Sequence, residues 1–438
     1  MLPVNIRVVY LATPSSGWPK PDLDVQADVA RLEKHLDDAE RKLGDVKFVG
    51  RDLVRTSAQA QKLASELGNV DGVLAFNLNT IVGSLFDPIL NVGLPTVLFC
   101  QPYSGHDWSV YSPMHKLGKK LVVLATTDYG EIAQVAALMR VAPRLRQTRV
   151  IHIGRPWGIT LSPELKERFG VEVVQVDDRR LKGLYDAVEP AVAEDEAESL
   201  IRNAKKVIEP TREEILKSSR VYFAMKKLME DERAQAITIT CLGGFPINEM
   251  GYPCIGFSKL NDQGLVAACE ADMESTLTML IFRYAFGVPG FISDPVFDTS
   301  TNTLSHAHCV SARKMDGPDG PSAPYAIRNH LEDYKGAVLQ VDMRVGQPIT
   351  CAKLVNLDTM LISTGTIVDT PDVDRGCRTK IATKVADARA LLDNWGGGVV
   401  PPDASIVTKL HRVIFYGDHI QDMKYLAVLT GLKVVREG

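Results

Sequence analysis

Short apolar runs of strand length recur along the chain, and stretches whose apolar positions repeat with a helical period separate them. Residues 6–12 form the first run, 24–43 the first helical stretch, and 46–49, 57–67 and 72–76 repeat the alternation, with further apolar runs at 96–100 and 121–126. Strands alternating with helices of this length predict βαβ units and a parallel, doubly wound sheet over 1–145. A second such block follows the basic linker at 144–149. Its predicted strands lie at 150–153, 171–176 and 236–241, and its two long charged helices near 180–207 and 211–231, which gives a domain over 146–288. The texture then changes to short β-like runs at 304–310, 337–343, 350–357, 360–367 and 378–382, punctuated by turn formers such as Asp316-Gly-Pro-Asp-Gly-Pro. These predict a third domain over 289–438, β-rich and ending in a βαβ unit: a strand at 412–416, Asp418 as helix N-cap, and Gly431 as C-cap. The expected fold class is α/β, with two doubly wound parallel-sheet domains followed by a mostly antiparallel, barrel-like C-terminal domain.

Composition narrows the function. With 438 residues, 45% hydrophobic and 24% charged, the chain buries a sizeable core and does not read as disordered. Fifty basic against 54 acidic residues leave a formal charge of −4 without a long run of one sign, so no nucleic-acid or polybasic membrane contact is expected. Every apolar run is far shorter than the roughly 20 residues that cross a bilayer. The first residues lack a basic leader and cleavage site, so a cytoplasmic location is expected. Seven widely spaced cysteines without a C-x-x-C pair argue against a disulfide framework or zinc knuckle. The fingerprints of ATP-binding loops, dinucleotide folds, serine hydrolases and zincins are missing from the sequence. The run Gly396 to Gly398 leads to prolines, not to a helix that could cradle phosphate.

One constellation carries candidate chemistry. Glu270 falls where a short apolar run meets a helix over 273–286, the place where open α/β sheets put ligands. Twenty-four residues on, Asp294 follows a second apolar run. Period-2 alternation then sends His306 and His308 to one face, and His411 precedes the 413–416 run. Two carboxylates with one or two imidazoles suit a divalent ion such as Mn²⁺, with Mg²⁺ or Co²⁺ as competitors.

At these residues the chain resembles the L-fucose/L-arabinose isomerase superfamily, in particular a short fucose-isomerase-like branch. The resemblance lies in Pro253-Cys-Ile-Gly-Phe-Ser-Lys-Leu-Asn-Asp262, Ala268-Cys-Glu-Ala-Asp-Met273, Asp294-Pro295, His308-Cys309, Asn329-His-Leu-Glu332, and His411 with Tyr416-Gly-Asp418. It implies a manganese-dependent sugar isomerase with Glu270 and Asp294 as paired carboxylate ligands and catalytic groups. His411 is then a metal ligand, and His308 a further one with His306 behind it. It also implies a homo-oligomer, a hexamer in the family. Trp18 and Trp108, on expected loops after strands, offer aromatic faces to a sugar.

The expected activity is aldose–ketose isomerisation of a free sugar through an enediol(ate), one carboxylate moving a proton between C1 and C2 and the other handling hydroxyl protons. Glu270 is the first choice for the carbon base, with the roles exchangeable. The competing readings are another metal-dependent sugar or sugar-acid enzyme, an epimerase or lyase, and a non-catalytic sugar-binding protein.

Overall fold

A computed structural model describes residues 1–14, 17–80, 82–155, 159, 163–241 and 245–438. They form two compact units, Met1–Arg144 with Gln421–Leu432, and Leu145–Ile420 with Lys433–Gly438.

The first unit holds a five-stranded sheet of β1 (Val4–Leu11), β2 (Val46–Val54), β3 (Gly72–Asn77), β4 (Thr96–Cys100) and β5 (Leu121–Leu124), in the order β2-β1-β3-β4-β5. Every pairing is parallel. β3 and β4 are buried at every position, as strands covered on both faces must be. The helix Val25–Leu43 turns Leu32, Leu36 and Ala39 inward, and Asp24 caps it by accepting the Ala27 N–H.

In the second unit, β6 (Arg149–Ile153), β7 (Glu172–Val176), β8 (Ala236–Ile239) and β9 (Val266–Ala268) make a parallel sheet in the order β7-β6-β8-β9. The charged stretch expected to be one helix is two, Asp178–Asp186 and Pro190–Asn203. Proline has no N–H for a continuing helix, so Pro190 starts the second one at its first turn.

The same unit contains β10 (Phe291–Asp298), β11 (Thr303–His308), β12 (Tyr325–His330), β13 (Lys335–Val341), β14 (Pro348–Val355), β15 (Thr359–Asp369), β16 (Thr379–Lys384), β17 (Arg412–Tyr416) and β18 (Lys433–Arg436). Six of these run β14-β17-β10-β11-β16-β15, and the β14–β15 hairpin closes the ring into an antiparallel barrel, with β18 added parallel to β15. Closure removes the free strand edges. Phe291, Met343, Ile349, Cys351, Ile367, Ile381 and Ile414 pack together as its core, each such side chain contributing about 1.5–3 kcal/mol by leaving water. The expected fold class, parallel α/β sheets followed by an antiparallel barrel, is the one observed.

One expected barrel segment lies elsewhere. β13 pairs with β12, and this hairpin packs Tyr325, Ile327, Leu339 and Val341 against Leu200, Ile215 and Ile255 of the neighbouring helices. β12 is hard to see in sequence because Arg328, Asn329 and His330 interrupt its apolar pattern.

The helix Met273–Phe286 joins the second parallel sheet to the barrel. Phe282 stacks on Phe415 with ring centroids 3.7 Å apart, and the Thr278 hydroxyl accepts the Leu354 N–H at 2.8 Å. A Cβ at Gly290 would come within 2.5 Å of Val413, so glycine is what lets the chain enter β10 this close to β17. Among the described residues no helix is long and apolar enough to cross a membrane.

Candidate active site

β9 ends at Ala268, and the backbone then turns through Glu270 and Ala271 with φ of 57° and 52°. Two consecutive residues with a Cβ in the left-handed region cost on the order of 1–2 kcal/mol each. The turn is held on both sides: the Ala271 N–H donates to the Ile239 carbonyl at 2.9 Å, and Asp272 caps the following helix by accepting the Ser275 N–H at 2.9 Å. The strain is concentrated where the Glu270 carboxylate leaves the sheet edge. Ala271→Gly should therefore stabilise the protein by about 1 kcal/mol, because glycine adopts this backbone freely. Urea denaturation checks it, and a less stable variant would show that the turn is unstrained.

Four of the anticipated residues meet here. His411 Nε2 lies 3.7 Å from Glu270 Oε2 and 3.3 Å from Asp294 Oδ1. His308 Nε2 lies 3.5 Å from Glu270 Oε1. Ligand atoms of Asp294, His308 and His411 all fall within 4.8 Å of one another. Asp294, although it follows an apolar run in the sequence, does not terminate a strand. It sits inside β10 opposite Ala307 of β11, and the strand continues to Asp298 because antiparallel pairing carries it past the end of the apolar run.

The two histidines of the cluster carry their protons differently. His411 Nδ1 faces Asp272 Oδ2 at 2.9 Å. A carboxylate only accepts, so Nδ1 bears a proton, and Nε2 is the ring nitrogen that points at Glu270 and Asp294. The Cys309 N–H instead donates to His308 Nδ1 at 2.9 Å, which leaves Nε2 as the proton-bearing nitrogen. That buried Nε2 faces the Glu270 carboxylate at 3.5 Å without hydrogen-bond geometry, so a closer acceptor oxygen would satisfy it better. Burial works against charging His308, but Glu270 outweighs it and pushes the pKa up. Burial likewise favours the neutral form of Glu270, while His308 and His411 draw its pKa below the usual carboxylate range.

Behind His411 lies a buried network that sequence reasoning missed. Asp272 accepts the Ser275 hydroxyl at 2.6 Å and pairs with the Lys353 ammonium, which also donates to Ser275 Oγ at 2.9 Å. Lys353 and Asp272 are 0% and 1% exposed. Burial opposes the charge on Asp272, and Lys353 with His411 overcomes it, holding the carboxyl well below its ordinary value. In sequence, Asp272 shows only the pattern of a helix N-cap, which it also is. A lysine within the apolar strand Pro348–Val355 was the available signal. Beside Asp272 opens a cavity of about 260 Å³ lined by Ala271, Glu274, Asn356, Ser405 and Thr408 among others, where the Thr408 hydroxyl donates to Glu274 Oε2 at 2.6 Å.

The remaining candidates are His306, Trp18 and Trp108. His306 is buried with Nδ1 at 3.0 Å from Ser293 Oγ and Nε2 at 3.0 Å from Thr383 Oγ1, so both nitrogens are occupied and His308 is the one that reaches the cluster. Burial, with Arg412 adding to it, pushes the His306 pKa down to about 3. Trp18 and Trp108 belong to the first unit and are 39% and 48% exposed. Trp18 packs on His106 with ring centroids 5.1 Å apart. Trp108 opens the single-turn helix Trp108–Tyr111 and is not on a loop.

The donor chemistry suits a cation of intermediate hardness: Asp294, His308 and His411 offer ligand atoms close enough to share one ion, Glu270 lies on the other side of His411 Nε2, and Asp272 fixes the His411 ring through Nδ1. Parallel α/β sheets, a six-stranded antiparallel barrel and this carboxylate–histidine cluster together define the chain's architecture.

No protein-family model matches the chain. It is 24% identical over 321 residues to a sulfoquinovose isomerase from Alkalicoccus urumqiensis, spanning 69% of this chain and 68% of that one. To a sulfoquinovose isomerase from Clostridium sp. (strain MSTE9) it is 23% identical over 378 residues, spanning 82% and 80%, and to one from Priestia aryabhattai 29% identical over 314 residues, spanning 68% and 66%. Among solved structures, a glucose-galactose binding protein from Geobacillus stearothermophilus aligns over 65% of this chain and 92% of its own at 14% identity, with a TM-score of 0.18 on which no argument rests.

Proposed function

We propose that this chain is a divalent-cation-dependent aldose–ketose isomerase of the fucose/arabinose isomerase superfamily, acting on an open-chain sugar. The observation that carries the reading is the convergence of Glu270 and Asp294 on the one His411 nitrogen that Asp272 does not engage. The similarity to three sulfoquinovose isomerases supports it and makes sulfoquinovose the first substrate to try.

Glu270, Asp294 and His411 would hold the cation. Mn²⁺ is the first choice, with Mg²⁺ or Co²⁺ competing, and it supplies Lewis-acid polarisation of the sugar oxygens at C1 and C2. His308 would enter the same shell only by moving its proton to Nδ1, where the Cys309 N–H already donates. Its role in the reading is therefore to donate a hydrogen bond from Nε2 to a substrate oxygen. Glu270 takes the proton from one carbon and returns it to its neighbour, so the carboxylate is regenerated in each turnover. Asp294 moves the hydroxyl proton between O1 and O2, and no redox partner is needed. A cytoplasmic homo-oligomer, hexameric by resemblance, belongs to the same reading and is checked by sedimentation of the purified protein.

The test is product analysis by NMR in D₂O with sulfoquinovose and a panel of aldoses and ketoses at added Mn²⁺. Deuterium entering C1 or C2 of an interconverted pair is the expected result. Shorter fragments would assign a lyase, and chelator-resistant sugar binding without turnover a binding protein. Exhaustive chelation should abolish the activity, and Mn²⁺ should restore it. Full activity in a protein shown by elemental analysis to be metal-free would remove the cation from the mechanism.

A further inference from the structure

Cys241 and Cys269 follow β8 and β9, adjacent parallel strands, and so emerge at the same sheet edge. Their sulfurs are 3.3 Å apart and both residues are 3% exposed. Two thiolates bound to one tetrahedral cation at about 2.3 Å sit roughly 3.8 Å from each other, close to the separation found here. The third donor is next in sequence: ligand atoms of Cys269, Glu270 and His308 all lie within 4.8 Å of one another. The constrained turn at Glu270 and Ala271 fixes where that carboxylate leaves the backbone beside Cys269.

We propose that Cys241, Cys269 and Glu270 form a second cation site, selective for thiophilic divalent ions such as Zn²⁺ and Cd²⁺ and distinct from the face where Glu270 meets Asp294 and His411. Sulfur ligands favour these ions over Mn²⁺ or Mg²⁺. Binding releases the two thiol protons, the cation taking their place between the sulfurs, and no oxidant or reductant takes part. Because Glu270 serves both faces, a thiophilic ion draws its carboxylate away from Asp294 and His411. Cation binding here does not depend on the isomerase reading, since its measurement needs no substrate.

The experiment is titration of reduced, chelator-treated full-length protein with Cd²⁺ alone, followed by the near-ultraviolet sulfur-to-cadmium charge-transfer band. The expected result is a band that saturates at one ion per chain, weakens in Cys241→Ser and in Cys269→Ser, and disappears in the double variant. Cys309→Ser with Cys377→Ser should leave it intact. No band, or a band that survives the Cys241→Ser/Cys269→Ser change, overturns the proposal. Should the double variant misfold, the ¹¹³Cd chemical shift in the parental protein decides: a two-sulfur environment supports the site, and one without sulfur overturns it. Recovery of a Cys241–Cys269 disulfide from peroxide-treated protein, with no cadmium band before treatment, assigns the pair to redox chemistry and also overturns it.

Discussion

Glu270→Gln should leave the protein folded and lower turnover by about 10²–10⁴-fold, the range over which a positioned acid or base accelerates proton transfer. Glutamine keeps the volume and one acceptor oxygen but cannot hold a carbon-derived proton. It also removes the charge that faces both His308 Nε2 and His411 Nε2. The loss should fall on kcat. Substrate oxygens keep the His308 donor, so KM changes less. The measurement is steady-state kinetics on a confirmed sugar, with circular dichroism to establish the fold. A well-folded variant turning over at the parental rate would dismiss Glu270 as the base.

The second large effect concerns stability. Lys353→Met leaves Asp272 buried without its cation, and breaking a fully buried pair by removing one member costs about 3–5 kcal/mol. Adding Asp272→Asn removes the stranded charge and should recover much of that loss. The pH dependence follows from the depressed Asp272 pKa. Stability from this group is complete above the unfolded carboxylate value, about 3.9, and is lost as pH falls toward the lower folded value. The gap between parent and Lys353→Met should therefore narrow on acidification below about pH 4. Urea denaturation across pH checks both claims, and a loss under about 1 kcal/mol at neutral pH would mean that the pair is hydrated, as exposed ion pairs are. Because the Asp272 carboxylate fixes the His411 tautomer, Asp272→Asn should also bind Mn²⁺ more weakly, by about 10–100-fold on the precedent of partners that orient metal-ligating histidines.

The parallel sheets were legible because buried strands are continuous apolar runs and their helices keep a 3.6-residue period. The Met273–Phe286 helix announced itself through Asp272 and the apolar turns that follow. Glu270 could be singled out because it falls where a short apolar run meets a helix, the place where open α/β sheets put ligands. Asp294 was found because it too follows an apolar run, but placed at the wrong kind of position, since local pattern does not distinguish a strand end from a strand whose exposed face turns polar. The hairpin of β12 and β13 was misread because its partners are helices about 100 residues earlier in the chain.

The order of residues along the chain thus determined the fold class and the alternation of elements, and it narrowed the acidic and imidazole candidates to a few. Only the folded molecule decided that His308 and not His306 reaches Glu270, that Asp272 and Lys353 stand behind His411, and that Cys241 lies against Cys269. The physical reason is range. Periodicity and capping are settled within a few residues of backbone, whereas ring tautomers, buried ion pairs and sulfur contacts depend on side chains brought together across 28 to 139 positions.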